Sequence, residues 1–229
     1  MKAMAAGLAT GLLLWGAATF GMRSQVKAAE ERLLHPPTEE KRVAIADESD
    51  APYCTPAFKT VLQRVLHACG LVGGDSRRGC QPADVKQFAS ISDDDFNALF
   101  NPLRMRGAVV LFDENSPDLD LAAKQVIEEK WTDRKGARYF FVLARGSKTG
   151  SVEANRTLSH KRANSVMFHL RETLNDPELD KQVGLMWLGK EFAQLGKEYC
   201  EWNHSRTDKA CDQEAVNRSA FVSWVDCRL

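Results

Sequence analysis

Apolar residues recur at helical spacing in PAFKTVLQRVLHACGLV, where Phe58, Val61, Leu62, Val65, Leu66 and Cys69 share one face. GGDSRRG ends that pattern. QPADVKQFASI (81–91) and DDDFNALFNPL (93–103) predict two more short helices. From residue 107 the rhythm changes. GAVVLF is a short, wholly apolar strand, DLDLAAKQVIEEKW an amphipathic helix, and ARYFFVLA a buried strand rich in aromatic and branched residues. VEANRTLSHKRANSVMFHLRETL is a long helix whose buried stripe is Ala163, Val166, Met167, Leu170 and Leu174. QVGLMWLG is a strand. RSAFVSWVDC is the last strand, with Ala220, Val222 and Trp224 on one face and Phe221 and Val225 on the other. The order β-α-β-α-β-β predicts helices packed on one mixed sheet, an α/β (α+β) sandwich. No internal repeat or low-complexity tract interrupts it.

The first residues have a different character. Ala3–Met22 carries no charge and is flanked by Lys2, Arg23 and Lys27. That length of apolar chain spans a bilayer as a helix, and it also resembles a secretory signal peptide. The run continues past Ala18 to Met22, which favours the anchor. Either reading sends the rest of the chain out of the cytoplasm. The charged stretch that follows extends a helix as far as Leu34, stops at Pro36-Pro37 and becomes a solvated linker up to Pro52. The expected organisation is 1–22 anchor or signal, 23–52 helical extension and linker, 53–105 a small helical cysteine-containing unit, and 107–229 the sandwich.

Charge and cysteines narrow the function. Lysine plus arginine equals aspartate plus glutamate, so no basic stripe argues for nucleic acid. The six cysteines, Cys54, Cys69, Cys80, Cys200, Cys211 and Cys227, read as disulfides in an exported chain. With three in each half, full pairing requires at least one bridge between halves. Cys200–Cys211 would close a short polar loop. No C-x-x-C pair and no histidine at ligand spacing supports zinc. Asp93, Asp94 and Asp95 lack the alternating ligands and closing glutamate of a calcium loop and read as helix-start acids. His67, among apolar neighbours, reads as a packed histidine. No metal or cofactor is expected.

Gly150, Asn155, Leu158, Ser159, Arg162 and Ala163 follow the pattern Gly-x-x-x-x-Asn-x-x-Leu-Ser-x-x-Arg-Ala. LFDENSPDL (111–119) precedes it as a strand exit, and VNRSAFV (216–222) follows as an Asn-Arg entry to the last strand. With these residues, 107–229 resembles the OmpA-like domain family of outer-membrane tethering proteins, peptidoglycan-associated lipoproteins and flagellar-motor stators. The resemblance implies non-covalent binding of peptidoglycan in the periplasm of a Gram-negative-type envelope. It implies that Arg162 meets a stem-peptide carboxylate, a geometry suited to a guanidinium fork. In the family an aspartate meets the neighbouring ammonium; its position here carries Ser147, with Gly146 before it. Glu153 or Asp113, from a neighbouring loop, is the acid that could replace it. Asn155 is expected to support the turn and hydrogen-bond the ligand, and Arg218 to support the last strand's entry.

The expected function is therefore to tether a membrane or envelope assembly to the cell wall. The alternative is a structural module of a larger envelope complex, such as a secretion or conjugation apparatus, with no wall binding. EFAQLGKEYCEWNHSRTDKACDQEAV, longer than the last connection needs, carries Tyr199 and Trp202. It reads either as a contact surface for other envelope proteins, within 192–216, or as a loop tightened by Cys200–Cys211. A motor stator would need a carboxylate in the membrane helix, and Ala3–Met22 has none. Catalysis finds no footing: Ser159 and His160 are adjacent on a helix and do not face each other, and no Gly-x-Ser-x-Gly elbow or Walker loop occurs.

Overall fold

The computed structural model describes residues 51–72, 91–134 and 137–229. The apolar segment 3–22, the linker to residue 50, the helix foreseen at 81–91 and Cys80 lie outside the described residues. Among the described residues no helix is long and apolar enough to cross a membrane.

Among the described residues the strands and helices foreseen from 107 onward form in that order, and the helix read over 93–103 is a short helix, Asp93–Ala98, followed by a 3-10 turn at Asn101–Leu103. β1 (Gly107–Leu111), α3 (Leu121–Asp133), β2 (Tyr139–Ala144), α4 (Val152–Leu174), β3 (Val183–Trp187) and β4 (Ser219–Val225) follow α1 (Pro56–Ala68) and α2 (Asp93–Ala98), with a one-turn α5 (Gln213–Asn217) leading into β4. The strands make one sheet in the order β1-β4-β2-β3. β4 lies antiparallel between β1 and β2, and β3 joins β2 in parallel.

Local chemistry sets the helix starts. Pro56 begins α1 behind the Thr55 hydroxyl, which accepts from the Phe58 N–H at 3.2 Å. Ser92 caps α2 in the same way, so Asp93–Asp95 occupy its first turn, where acids suit the helix dipole. Asp120 caps α3, accepting from the Ala123 N–H at 2.8 Å. Ser151 caps α4, and Asn175 ends it in a left-handed conformation.

The sheet is covered on both faces. On one face α3 and α4 bury Ala123, Ile127, Trp131, Ala163, Val166 and Leu170 against Val110, Val142 and Val222. Trp224 packs at that face and Leu174 beside it. On the other face Phe58, Val61, Leu62, Val65 and Leu66 of α1, with Phe96, Phe100 and Leu103, lie against Phe141, Leu143, Phe221 and Val225. The alternation read from β4 and the stripes read from α1 and α4 are all observed. Burial on both faces also explains why the strands read as unbroken apolar runs. The helical residues share one core with the sheet, in a compact unit Ser49–Leu229. A 13-residue helix such as α1 is marginal alone. Its five buried side chains, at roughly 1.5–3 kcal/mol each, supply the packing that holds it.

Two disulfides are seen in full. Cys200–Cys211 forms as anticipated, and Cys54–Cys227 is a bridge between the halves, joining the start of the helical layer to the end of the sheet. Beside it the Tyr53 hydroxyl bonds the Asp226 carboxylate, and Arg106 lies between the Tyr53 and Trp224 rings, at 4.6 and 4.5 Å. Cys69 is also disulfide-bonded.

The long connection between β3 and β4 is folded onto the body. Trp202 is buried, its ring 5.5 Å from that of Phe221, and the Tyr199 ring meets Trp202 at a tilt, centroids 4.8 Å apart. Trp202, one of the two aromatic residues considered for a contact surface, thus faces the core, with Tyr199 partly buried beside it. Asn217 pins its far end, donating to the Leu195 carbonyl and accepting from the Leu195 N–H. Asn203 and Ser205 hydrogen-bond along the outer side of β1: Val109 N–H donates to Asn203 O at 2.8 Å, Ser205 N–H to Val109 O at 3.0 Å, and Leu111 N–H to Ser205 Oγ at 2.9 Å.

Candidate functional site

The motif residues converge where β2 hands over to α4. Gly146 leaves β2 with no room for a side chain: a Cβ there would lie 2.5 Å from Asn155 Oδ1. Gly150 takes a left-handed φ of 79°, a conformation that favours glycine. The Asn155 amide then reaches back from α4 and donates to Thr149 O at 2.6 Å and Ser151 O at 2.9 Å. Ser159, fully buried, accepts from the Gly189 N–H at 3.1 Å and ties α4 to the end of β3. The spacing of the motif is thus the spacing of a helix start stitched to a loop. Ser159 is occupied structurally, and His160 instead stacks on Trp187 at 4.2 Å, its pKa held down by burial.

Arg162 lies beneath this loop and is fully buried. Its Nε donates to Ser116 O at 3.1 Å, Nη1 to Arg145 O at 3.0 Å and Nη2 to Asp113 O at 3.2 Å. The guanidinium therefore ties the β1–α3 loop to the end of β2, above the Phe112 ring. Burial, with Arg218 adding to it, pushes its pKa down to about 10. Arg145 is likewise fully buried and pushed down to about 10, its guanidinium on Ala193 O and Asn97 Oδ1. Arg218 is half-buried, its Nε enclosed and without a hydrogen-bond partner among the described residues.

An open groove of about 720 Å³ runs across the start of α4. One wall is Glu114 and Asn115 from the β1–α3 loop; the other includes Gly150, Glu153, Asn155 and Lys161. Of the four residues singled out in the sequence, Asn155 lines the groove, while Arg162, Ser147 and Arg218 do not. Ser147 is buried, with its hydroxyl 3.0 Å from that of Thr149. Of the two candidate replacement acids, Glu153 faces the groove. Asp113 is engaged elsewhere: Arg206 Nη1 donates to it at 2.6 Å, and that hydrogen bond holds its carboxyl below the usual carboxylate range. Arg206 Nε also donates to Asp120 at 2.5 Å. Burial works against the Arg206 charge, but these two carboxylates raise its pKa overall. Glu114, Lys161 and Arg206 were missed in the sequence. Glu114 lies inside the strand-exit motif, a signal that was there to use; Arg206 carries no local signal.

Solved OmpA-like domains are among the structures to which this chain is similar. The OmpA-like domain of FopA1 from Francisella tularensis is 16% identical over 53% of this chain and 74% of that one, with a TM-score of 0.37. The peptidoglycan-associated lipoprotein from Burkholderia pseudomallei is 20% identical over 51% of this chain and 87% of that one, TM-score 0.37. The periplasmic domain of MotB is 16% identical over 52% of this chain, TM-score 0.37, and the match spans 59% of that domain. No family model and no curated protein matches the chain.

Proposed function

We propose that residues 107–229 are an OmpA-like domain that binds peptidoglycan without cutting it, and that the protein tethers a membrane or an envelope assembly to the cell wall. One observation carries this reading. The motif positions Gly150, Asn155 and Leu158 line one open groove, and Arg162 lies buried against the Ser116 carbonyl of the loop that walls it. The groove offers both signs of charge, Glu114 and Glu153 with Lys161. A stem peptide, which carries ammonium and carboxylate groups together, has the matching chemistry. Arg162 meets a ligand carboxylate when the Ser116 and Asp113 carbonyls give way to it, exchanging neutral acceptors for a charged one. The disulfides suit an oxidising compartment such as the periplasm. Residues 3–22 would supply the membrane attachment.

The second reading, a module of a larger envelope complex that does not bind the wall, is favoured by Ser147. It brings no charge, and its hydroxyl is turned to Thr149. Sedimentation of the detergent-solubilised full chain with insoluble peptidoglycan separates the two readings. The expected result is co-sedimentation at low salt, reduced at least 30-fold in affinity by Arg162→Ala, on the order expected for losing one member of a desolvated charge pair. A native chain that stays in the supernatant at low salt sinks the wall-binding reading and leaves the second.

A further inference from the structure

We propose that Arg206 is a positioning residue for the groove: carried in by the disulfide-closed loop between β3 and β4, it sets the β1–α3 loop that forms one groove wall and covers Arg162. Its effect on ligand binding rests on the wall-binding reading; its effect on the loop does not.

The β1–α3 loop has little to hold it from within. Between Asp113 and Asp120 the backbone makes one bond to itself, Ser116 N–H to Asp113 O at 3.2 Å, and one to a side chain of the loop, Asp118 N–H to Ser116 Oγ at 2.9 Å, while Asn115 takes a left-handed φ of 54°. The Ser116 hydroxyl is spent on Asp118. Arg206 closes the loop from outside. Its side chain is 8% exposed, with Nη1 on Asp113, where the loop begins, and Nε on Asp120, where it ends as the cap of α3. Two charge-assisted bonds from one planar group, each to a different carboxylate, fix the separation of the two ends. Between them lie the groove-wall residues Glu114 and Asn115 and the Ser116 carbonyl that receives Arg162. Asp113 is contacted twice, its carboxylate by Arg206 and its carbonyl by Arg162. A side chain 44 positions away from Arg162 therefore shares a loop with it.

The backbone of Arg206 shows what holds it there. Its φ is 70°, a left-handed conformation that a non-glycine residue keeps only when its surroundings impose it. Those surroundings are the bonds of Asn203 and Ser205 to β1 on one side and Cys200–Cys211 around the loop.

The test uses the full chain labelled with 15N at arginine Nε. The Arg162 Nε–H, protected by Ser116 O, is the reporter. Arg206→Ala should raise its solvent exchange by about tenfold, with the amides of 113–118 following, while amides at the centre of β2 and β4 stay protected. Arg206→Gly relieves the left-handed backbone and removes the guanidinium, so the same rise in that variant assigns the effect to the side chain. Arg206→Lys should restore part of the protection, since one ammonium can serve one carboxylate. Binding to insoluble peptidoglycan should fall by about tenfold in the Ala and Gly variants and recover partly in the Lys variant. Unchanged exchange in both the Ala and Gly variants overturns the proposal. Raised exchange with undiminished binding, in a protein whose native chain binds, overturns its link to the groove. A native chain that does not bind defeats the wall-binding reading, and the exchange result then decides the positioning role by itself.

Discussion

The two fully seen disulfides should differ in worth, and by an amount the structure fixes. Cys54–Cys227 closes a sequence separation of 173 and Cys200–Cys211 one of 11. If a disulfide acts mainly by restricting the unfolded chain, its contribution grows with the logarithm of the loop it closes. That relation gives about 5 kcal/mol for Cys54–Cys227 and about 3 kcal/mol for Cys200–Cys211. The shorter bridge lies inside the larger loop, and shortening the larger loop by its separation changes the first figure by less than about 0.1 kcal/mol. A domain's whole stability is about 5–15 kcal/mol, so losing Cys54–Cys227 should bring the protein near its threshold. Paired alanine substitutions, Cys54→Ala with Cys227→Ala and Cys200→Ala with Cys211→Ala, compared by urea unfolding, measure the difference. For a unit of this size the first pair should lower Tm by roughly 10–20 °C. Equal costs, or a larger cost for the short loop, would refute the chain-entropy argument. They would place the worth of each bridge in local packing, since Cys54 and Cys227 are both buried.

Other predictions follow from single side chains. Glu153→Gln should weaken binding to peptidoglycan by roughly tenfold with no change in Tm, because the carboxylate faces the groove and no core; an unchanged binding curve would move the ammonium contact to Glu114. Gly150→Ala should destabilise by about 1 kcal/mol through the left-handed backbone, seen as a shift in the urea midpoint. Trp202→Ala should cost about 3–5 kcal/mol, since the indole is packed on Phe221 rather than offered to a partner; a cost below 1 kcal/mol would return it to the surface. Burial, with the Asp226 side chain contributing, pushes the Tyr53 hydroxyl up to about 12. The folded state therefore keeps its proton while the unfolded chain loses one above about pH 10, so this contribution to stability is complete below about pH 10 and fades towards pH 12. Tyr53→Phe should flatten that part of the pH–stability curve, and an identical slope in both proteins would count against it.

The parts of the fold that the sequence revealed are those governed by local periodicity. The stripe Ala163, Val166, Met167, Leu170 and the alternation of Ala220 and Val222 against Phe221 and Val225 need only the repeat of a helix or a strand. That α1 would cover the second face of the sheet was not legible, because amphipathicity says that a face is buried and not against what. Trp202 illustrates the same limit: an aromatic residue in a polar, stapled loop looks exposed until its contact with Phe221, nineteen positions on, is known. At the site, Gly150, Asn155 and Arg162 were found because their spacing records one local structure, a loop tied to a helix start. The burial of Arg162 was not, since its three acceptors come from Asp113, Ser116 and Arg145, two of them more than forty residues away. Arg206 belongs wholly to that second kind.

The hydrogen bonds of Asn203 and Ser205 to β1 have a consequence for how copies of this protein behave towards one another. β1 is a terminal strand of the sheet, and its backbone groups at Val109 and Leu111 would otherwise invite a strand from a neighbouring molecule. The stapled connection occupies them within the same chain. Strand-by-strand addition of further copies along β1 is therefore blocked at these positions within the chain itself.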